Sequence, residues 1–270
     1  MCAAACTATA PADITIIPAP PAARSAGSEW TATYQEALGE ILQAFEEVIG
    51  LPRVEVPLVM FPSRRSFEGG LLQIGYPPAL ARTASAFDAI GGARAILVNA
   101  GVVNRFDRTR RVRLLAHELV HTVQYEFGGG TRGASEQWLR EGFAEWVACR
   151  VTAHLGLGSF DASREELLRS LAGAPFGLQP APLDRLVTFP QWVEAQRRYD
   201  VPVYAQAFIA TELLLELRGV AAVVAYFRLF RTSTDHEAAF TEAFGMDRGA
   251  FERAFTRRWH ETVARFRLRE

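Results

Sequence analysis

From Thr31 to Ile49 the apolar residues Tyr34, Leu38, Ile41, Leu42, Phe45, Val48 and Ile49 recur at three- and four-residue spacing, and Gly50 and Pro52 then interrupt the pattern. That spacing predicts an amphipathic helix. Val54 to Phe61, closed by Pro62, and Ala93 to Asn99, following Gly91-Gly92, are short apolar runs between breakers. Both read as buried strands. Asp107 is placed to cap a helix running to Phe127 and stopped by Gly128-Gly-Gly130. A further helix is expected over Trp138–Leu155 behind a cap at Ser135, and from Ser163 onward the chain reads as helices with short breaks, among them Val203–Leu217. Capping-box patterns at Ser163/Glu166, Thr188/Gln191 and Thr234/Glu237 mark three of their starts. The order, strands early and helices late, predicts an α+β fold around one cleft. It divides 29–270 into a strand-containing part, 29–130, and a helical part, 131–270, of a single domain.

Residues 1–28 are rich in Ala, Pro and Ser, with a β-like run at Asp13–Ile17. They are expected to be poorly ordered. Ala3-Ala-Ala-Cys6 faintly resembles a lipoprotein cleavage site, but no apolar run precedes it, so no intact signal peptide is read there.

Composition narrows the function classes. Of 270 residues 49% are hydrophobic and 22% charged, which fits an ordinary globular chain rather than a disordered or fibrous one. No apolar run reaches the roughly 18 residues of a membrane-spanning helix, because Arg228 interrupts the stretch Gly219–Phe230. The net charge of −1 supplies no global field toward nucleic acid or anionic lipid. Every basic residue is Arg, which fits a GC-rich bacterial genome and bears on source only. The run Arg105, Arg108, Arg110, Arg111, Arg113 reads as a solvated helix face. Cys2, Cys6 and Cys149 give neither a disulfide framework nor metal-site spacing. Cys149 is expected to be a small core residue.

The chemistry concentrates in two segments. His117-Glu-Leu-Val-His121 lies inside the helix that starts at Asp107. At 100° per residue its two His are about 40° apart on one face, so both imidazoles can reach one ion while Glu118 points beside it. Two nitrogen ligands with a carboxylate kept off the metal is the arrangement of zinc hydrolases. Trp138-Leu-Arg-Glu-Gly-Phe-Ala-Glu145 begins seventeen residues later. Glu141 is the candidate third ligand, and Glu145, one turn on, can accept a ring N–H from a ligating His. Gly142 would permit the two helices to approach closely. Exposed carboxylates paired to Arg140 or Arg150 are the plain alternative for Glu141 and Glu145. His154, His236 and His260 stand alone in the sequence.

HELVH followed by WLREGFAEW resembles the gluzincin superfamily, specifically the peptidase MA-like proteins whose catalytic core is similar to that of aminopeptidase N. The resemblance is strong over His117–Val147 and weaker from Val54 to Asn99 and around Tyr204. It implies a zincin-like fold, Zn²⁺ held by His117, His121 and Glu141, Glu118 as general base, and a peptide or protein substrate. It also implies an oxyanion-binding Tyr about sixty residues past the third ligand. Tyr199 and Tyr204 both qualify, and Tyr204 is preferred because it opens a helix. An extracytoplasmic location is the weaker implication. One departure is visible. Aminopeptidase relatives place a Gly-x-Met-Glu-Asn segment, whose Glu holds the substrate amine, where this chain has Gly91-Gly-Ala-Arg-Ala95. Arg94 would repel an ammonium, so an amino-terminal exopeptidase is not expected. The strand carrying Ala95, Ile96 and Leu97 is read as the cleft edge to which an extended peptide adds. Two alternatives stand beside the peptidase: a zinc hydrolase of a non-peptide amide or natural product, and a non-catalytic binding module on the same scaffold.

Overall fold

The computed structural model describes residues 16–17 and 27–267, apart from 55, 132–133, 176 and 200. The Ala3–Cys6 stretch, Cys2 and nearly all of the Ala/Pro/Ser-rich segment lie outside the described residues. Of that segment Ile16–Ile17 forms a two-residue strand, β1. Helix α1, Gly27–Ala44, continues as a wider π-helical turn over Phe45–Ile49. Gly50 ends it in the left-handed conformation (φ 68°), where its N–H donates to Phe45 O. That is a stop glycine in the expected place.

The strand expected over 54–61 is confined to β2, Leu58–Phe61. Pro52 and Pro57 remove donors from the residues before it, so Val54 and Val56 are buried without pairing. Two helices not foreseen come next: α2, Arg64–Gln73, capped by a Ser63/Ser66 box, and α3, Pro78–Ala84. They precede β3, Ala89–Gly91, and β4, Ile96–Asn99. The sheet order is β1-β2-β4-β3, parallel except for β3, which runs antiparallel to β4 with Ile90 opposite Leu97.

This topology corrects the expected cleft edge. Residues 92–95 form a tight connection closed by Gly92 N–H to Ala95 O. β4 is paired on both sides, with Ile96 and Leu97 buried. Ala95, Ile96 and Leu97 therefore have no free main-chain edge to offer a peptide. The edge strand is β3, hidden in the sequence because it ends at the glycines taken for a breaker.

The two faces of the sheet differ as period-two alternation requires. Leu58, Ile96 and Val98 join the main core, which runs from Tyr34 to Phe266. Val59, Phe61, Ile90 and Leu97 face a small separate cluster with Phe67 and Leu71 of α2 and Ala81 and Ala84 of α3.

The rest is helical: α4, Ala100–Val103; α5, Arg108–Phe127; α6, Gln137–His154; α7, Phe160–Leu168; α8, Phe189–Arg198; α9, Val203–Leu229; α10, His236–Phe244; α11, Arg248–Arg267. Asp107 caps α5 through Arg110 N–H at 2.8 Å, and Thr188/Gln191 form the expected box on α8. Other caps shift. Glu136 rather than Ser135 precedes α6, Ser159 caps α7 and leaves Ser163 buried inside it, and Asp235 rather than Thr234 caps α10. Helix α9 breaks at Gly219 (φ 77°), so its first arm matches the expected Val203–Leu217. The close approach at Gly142 is to α9, not α5: a Cβ there would lie 2.2 Å from Ala207 O. Among the described residues no helix is long and apolar enough to cross a membrane.

Candidate metal centre

Helices α5 and α6 and strand β3 converge on one point. The sequence places His117 and His121 one turn apart on α5, and both rings turn inward, with Nε2 atoms 3.1 Å from each other. Glu141 of α6 closes the triangle: Oε2 is 3.3 Å from His117 Nε2 and Oε1 is 3.5 Å from His121 Nε2. All three residues are buried, and they form the group among the described residues whose donor atoms could share a metal ion.

The far side of each ligand is held. His121 Nδ1 lies 3.0 Å from Gln124 Oε1, whose amide donates to Arg140 O at 3.0 Å. His117 Nδ1 is 3.2 Å from Glu145 Oε1, off the line of a good hydrogen bond. Glu145 therefore stands where the sequence put it. Both Nδ1 atoms thus face oxygen acceptors, and both Nε2 atoms are turned with the Glu141 carboxylate toward one point. Gln137, one turn before Glu141, donates to its Oε1.

Glu118 is kept apart from this group. The Gly91 N–H of β3 donates to its Oε2, and Thr122 Oγ1 donates to Gly92 O at 3.0 Å, so the β3–β4 hairpin is pinned on α5. The pinning needs glycine: a Cβ at residue 91 would sit 2.2 Å from Glu118 O. Arg94, the residue expected to repel a substrate amine, is exposed on the hairpin tip and does not line the cleft. Tyr204, at the start of α9, lines the cleft with His117, Glu118 and Glu141, edge-on to Trp192 with ring centroids 5.0 Å apart. Tyr199 ends α8 and does not line it.

Burial and charge set the protonation of these groups. For Glu118 burial is the largest influence and raises the carboxyl above its ordinary range, against the pull of His117 and His121. For Glu141 burial acts in the same direction, but His121 and His117 outweigh it and hold the carboxyl well below its ordinary range. Glu145 is likewise lowered, burial being overcome by His117 and Arg113. Burial alone would lower His117; Glu145, Glu141 and Glu118 together raise it well above the usual imidazole value. The Tyr204 phenol is pushed well up by burial and then by the Glu141 charge.

Three participants escaped the sequence reading. Gln124 and Gln137 sit at i+3 from His121 and i−4 from Glu141, spacings that bring side chains together on a helix. Arg113 was assigned to a solvated face, yet its side chain is largely buried and bridges Glu145 at 3.3 Å and Glu166 at 3.4 Å. Arg111 is buried too, donating to Phe106 O at 2.9 Å. Of the isolated histidines, His154 approaches Glu47 at 3.5 Å and His236 approaches Glu136 at 3.4 Å, both away from the centre. No family model, no curated protein and no solved structure matches the chain.

Proposed function

We propose that this chain is a zinc-dependent metallopeptidase with a zincin-like catalytic core of gluzincin type, hydrolysing peptide bonds in peptide or protein substrates. The observation that carries the reading is the convergence of buried His117, His121 and Glu141, whose donor atoms lie within 4.8 Å of one another, with Glu118 held outside the group. Tetrahedral zinc with ligands at 2.0–2.1 Å has donor–donor edges of about 3.3–3.4 Å, close to the 3.1 Å between the two Nε2 atoms, while Glu141 meets the two rings through different oxygens, one of which would have to turn to the shared point. His117, His121 and Glu141 would hold it. When bound, zinc supplies Lewis acidity, making water nucleophilic near neutral pH and polarising a carbonyl.

The protein's own residues do the rest. Glu118, made more basic by its burial, takes the proton from the attacking water and passes it to the departing amine. The Gly91 N–H fixes one of its oxygens and leaves the other toward the cleft. Tyr204, kept protonated by burial, donates its O–H to the oxyanion, a contribution on the order of 3 kcal/mol. The part of the β3 edge not bonded to Glu118, at Ala89 and the Gly91 carbonyl, accepts an extended peptide as an added strand.

Zinc analysis and Glu118→Gln test the reading together. About one zinc per chain is expected, retained in the variant, while chelator-sensitive peptide hydrolysis falls by about 10²–10⁴-fold. A zinc content near zero, or undiminished turnover in Glu118→Gln, overturns it.

A further inference from the structure

The cleft continues to both sides of the donor triangle, and its two arms differ in chemistry. Beside the end of β3 a cavity of about 380 Å³ is walled by Ile74, Tyr76, Leu80, Phe87, Ile90 and Phe189. Ile74 is 61% exposed, so this apolar surface reaches the cleft mouth. Beside the start of β3 a wider space of about 760 Å³ is lined by Asp88, Asp107, Glu145 and Glu166 against Arg110 and Arg113. Arg113 is shared between Glu145 and Glu166, and Arg110 lies 3.7 Å from Asp88. With Glu118, which also lines it, five carboxylates to two guanidiniums leave this arm negative. Phe106 and Leu114 in the same wall can cover an aliphatic stem.

Strand β3 links the arms. Asp88 and Ala89 border the acidic arm, and Ala89, Ile90 and Gly91 border the apolar one. The bonds Asn99 N–H to Asp88 O and Gly92 N–H to Ala95 O turn the main-chain groups of 88 and 92 toward β4. By alternation Ile90 also faces β4, and the main-chain groups of Ala89 and the Gly91 carbonyl face the cleft, the Gly91 N–H being taken by Glu118.

We propose that the cleft takes an internal stretch of extended polypeptide antiparallel to β3, with a bulky apolar or aromatic residue on the amino side of the scissile bond and Arg or Lys on the carboxyl side. The inference rests on the peptidase reading above and adds its substrate class. Antiparallel pairing is the more stable per residue. Because β3 runs from the acidic arm to the apolar arm, an antiparallel partner enters through the apolar arm and leaves through the acidic one. An internal stretch fits because both arms are open and because, among the described residues, no carboxylate lines the apolar arm besides Glu118 and Glu141, both already engaged. A free amino terminus finds no counter-charge in that arm.

Two measurements test this. In the first, the zinc-loaded protein digests a mixed peptide library with and without chelator, and the new termini are sequenced. Internal cuts are expected, with Phe, Leu or Ile before the cut and Arg or Lys after it. The double variant Asp88→Asn, Glu166→Gln is expected to reduce the preference for Lys over Gln after the cut by roughly fivefold, the scale of partly exposed ion pairs. In the second, binding of synthetic peptides to zinc-loaded Glu118→Gln protein is followed by fluorescence anisotropy, and the same side-chain order is expected without turnover. Trimming from chain ends only, the reverse order across the cut, or side-chain-blind binding overturns the inference. Ordered binding with no chelator-sensitive cleavage by the unaltered protein supports the two-armed site and overturns the peptidase reading alone.

Discussion

Helix α6 touches two buried acid clusters, and they have opposite electrostatic character. At its start Glu136 is completely buried, bonded by the Arg248 guanidinium, with Tyr226 O–H donating at 3.1 Å and His236 Nδ1 at 3.4 Å. Arg248 bonds Glu136 on the buried side and reaches Glu252 at 3.2 Å and Glu237 at 3.6 Å toward the surface, and the cluster ties α6 to α9, α10 and α11. One turn further on, Glu141 and Glu145 join Glu118 of α5, and Arg113 is paired into that group through Glu145. Three buried carboxylates and two imidazoles converge there. Residue type and burial are nearly the same in both places. What separates a strut from a candidate site is whether the buried carboxylate is met directly by a guanidinium or converges with imidazoles and further carboxylates beside a cleft.

The largest expected effect breaks the strut. Glu136→Ala removes the fully buried partner of Arg248 and leaves it only the more exposed Glu237 and Glu252, and loss of one partner of a buried pair costs about 3–5 kcal/mol at most. Chemical denaturation should show that loss while zinc stoichiometry stays the same. A variant of unchanged stability that no longer binds zinc would erase the distinction between the clusters. Next comes the response to metal. Free zinc at a hundred times its dissociation constant should stabilise the unaltered protein by about 2.7 kcal/mol. Thermal unfolding should show that gain kept in Glu136→Gln, where the strut alone is weakened, and lost in His117→Ala. A gain persisting in His117→Ala would place the ion elsewhere.

The two clusters were unequally legible in the sequence. His117, Glu118, His121, Glu141 and Glu145 were readable because helical periodicity fixes which residues share a face, and α5 and α6 formed where the apolar spacing and Asp107 placed them. Glu136 gave no signal, since its partners Tyr226, His236 and Arg248 lie about ninety to 112 residues away in sequence. Such pairing is tertiary and leaves no local period. The same holds for β3: three residues ending in glycine look like a break, and only the ladder to β4 and the bond from Gly91 to Glu118 make them a strand. Helices α2 and α3 were missed because they bury their apolar side in a small cluster of their own, with Phe67 and Leu71 too few to set a visible repeat.

A smaller effect sharpens the description of the centre. Gln124 holds His121 in the tautomer that leaves Nε2 free, and it is itself anchored to Arg140 O. Gln124→Leu keeps the volume and removes the acceptor. Zinc affinity should fall by about 10–100-fold, the usual cost of losing a partner behind a ligand. Competition with a chromogenic chelator measures it. An unchanged affinity would mean that the ring is oriented by packing alone.

Cys149 supplies a third kind of buried titratable group on α6, neither paired nor awaiting a cation. It is fully buried, and burial pushes its thiol up to about 12 from 9.0, with Arg113 opposing. The sign follows from which state ionises first. Between pH 9 and 12 the unfolded chain carries the thiolate and the folded one does not, so stability present below pH 9 is lost as the pH rises. At pH 10 the loss from this group is on the order of 1 kcal/mol. Denaturant midpoints at pH 8 and pH 10 should therefore fall further in the unaltered protein than in Cys149→Ala, which has no thiol to ionise. Equal falls would show that the alkaline loss comes from other groups. They would also remove the ground for treating Cys149 as a neutral core residue beside a charged site.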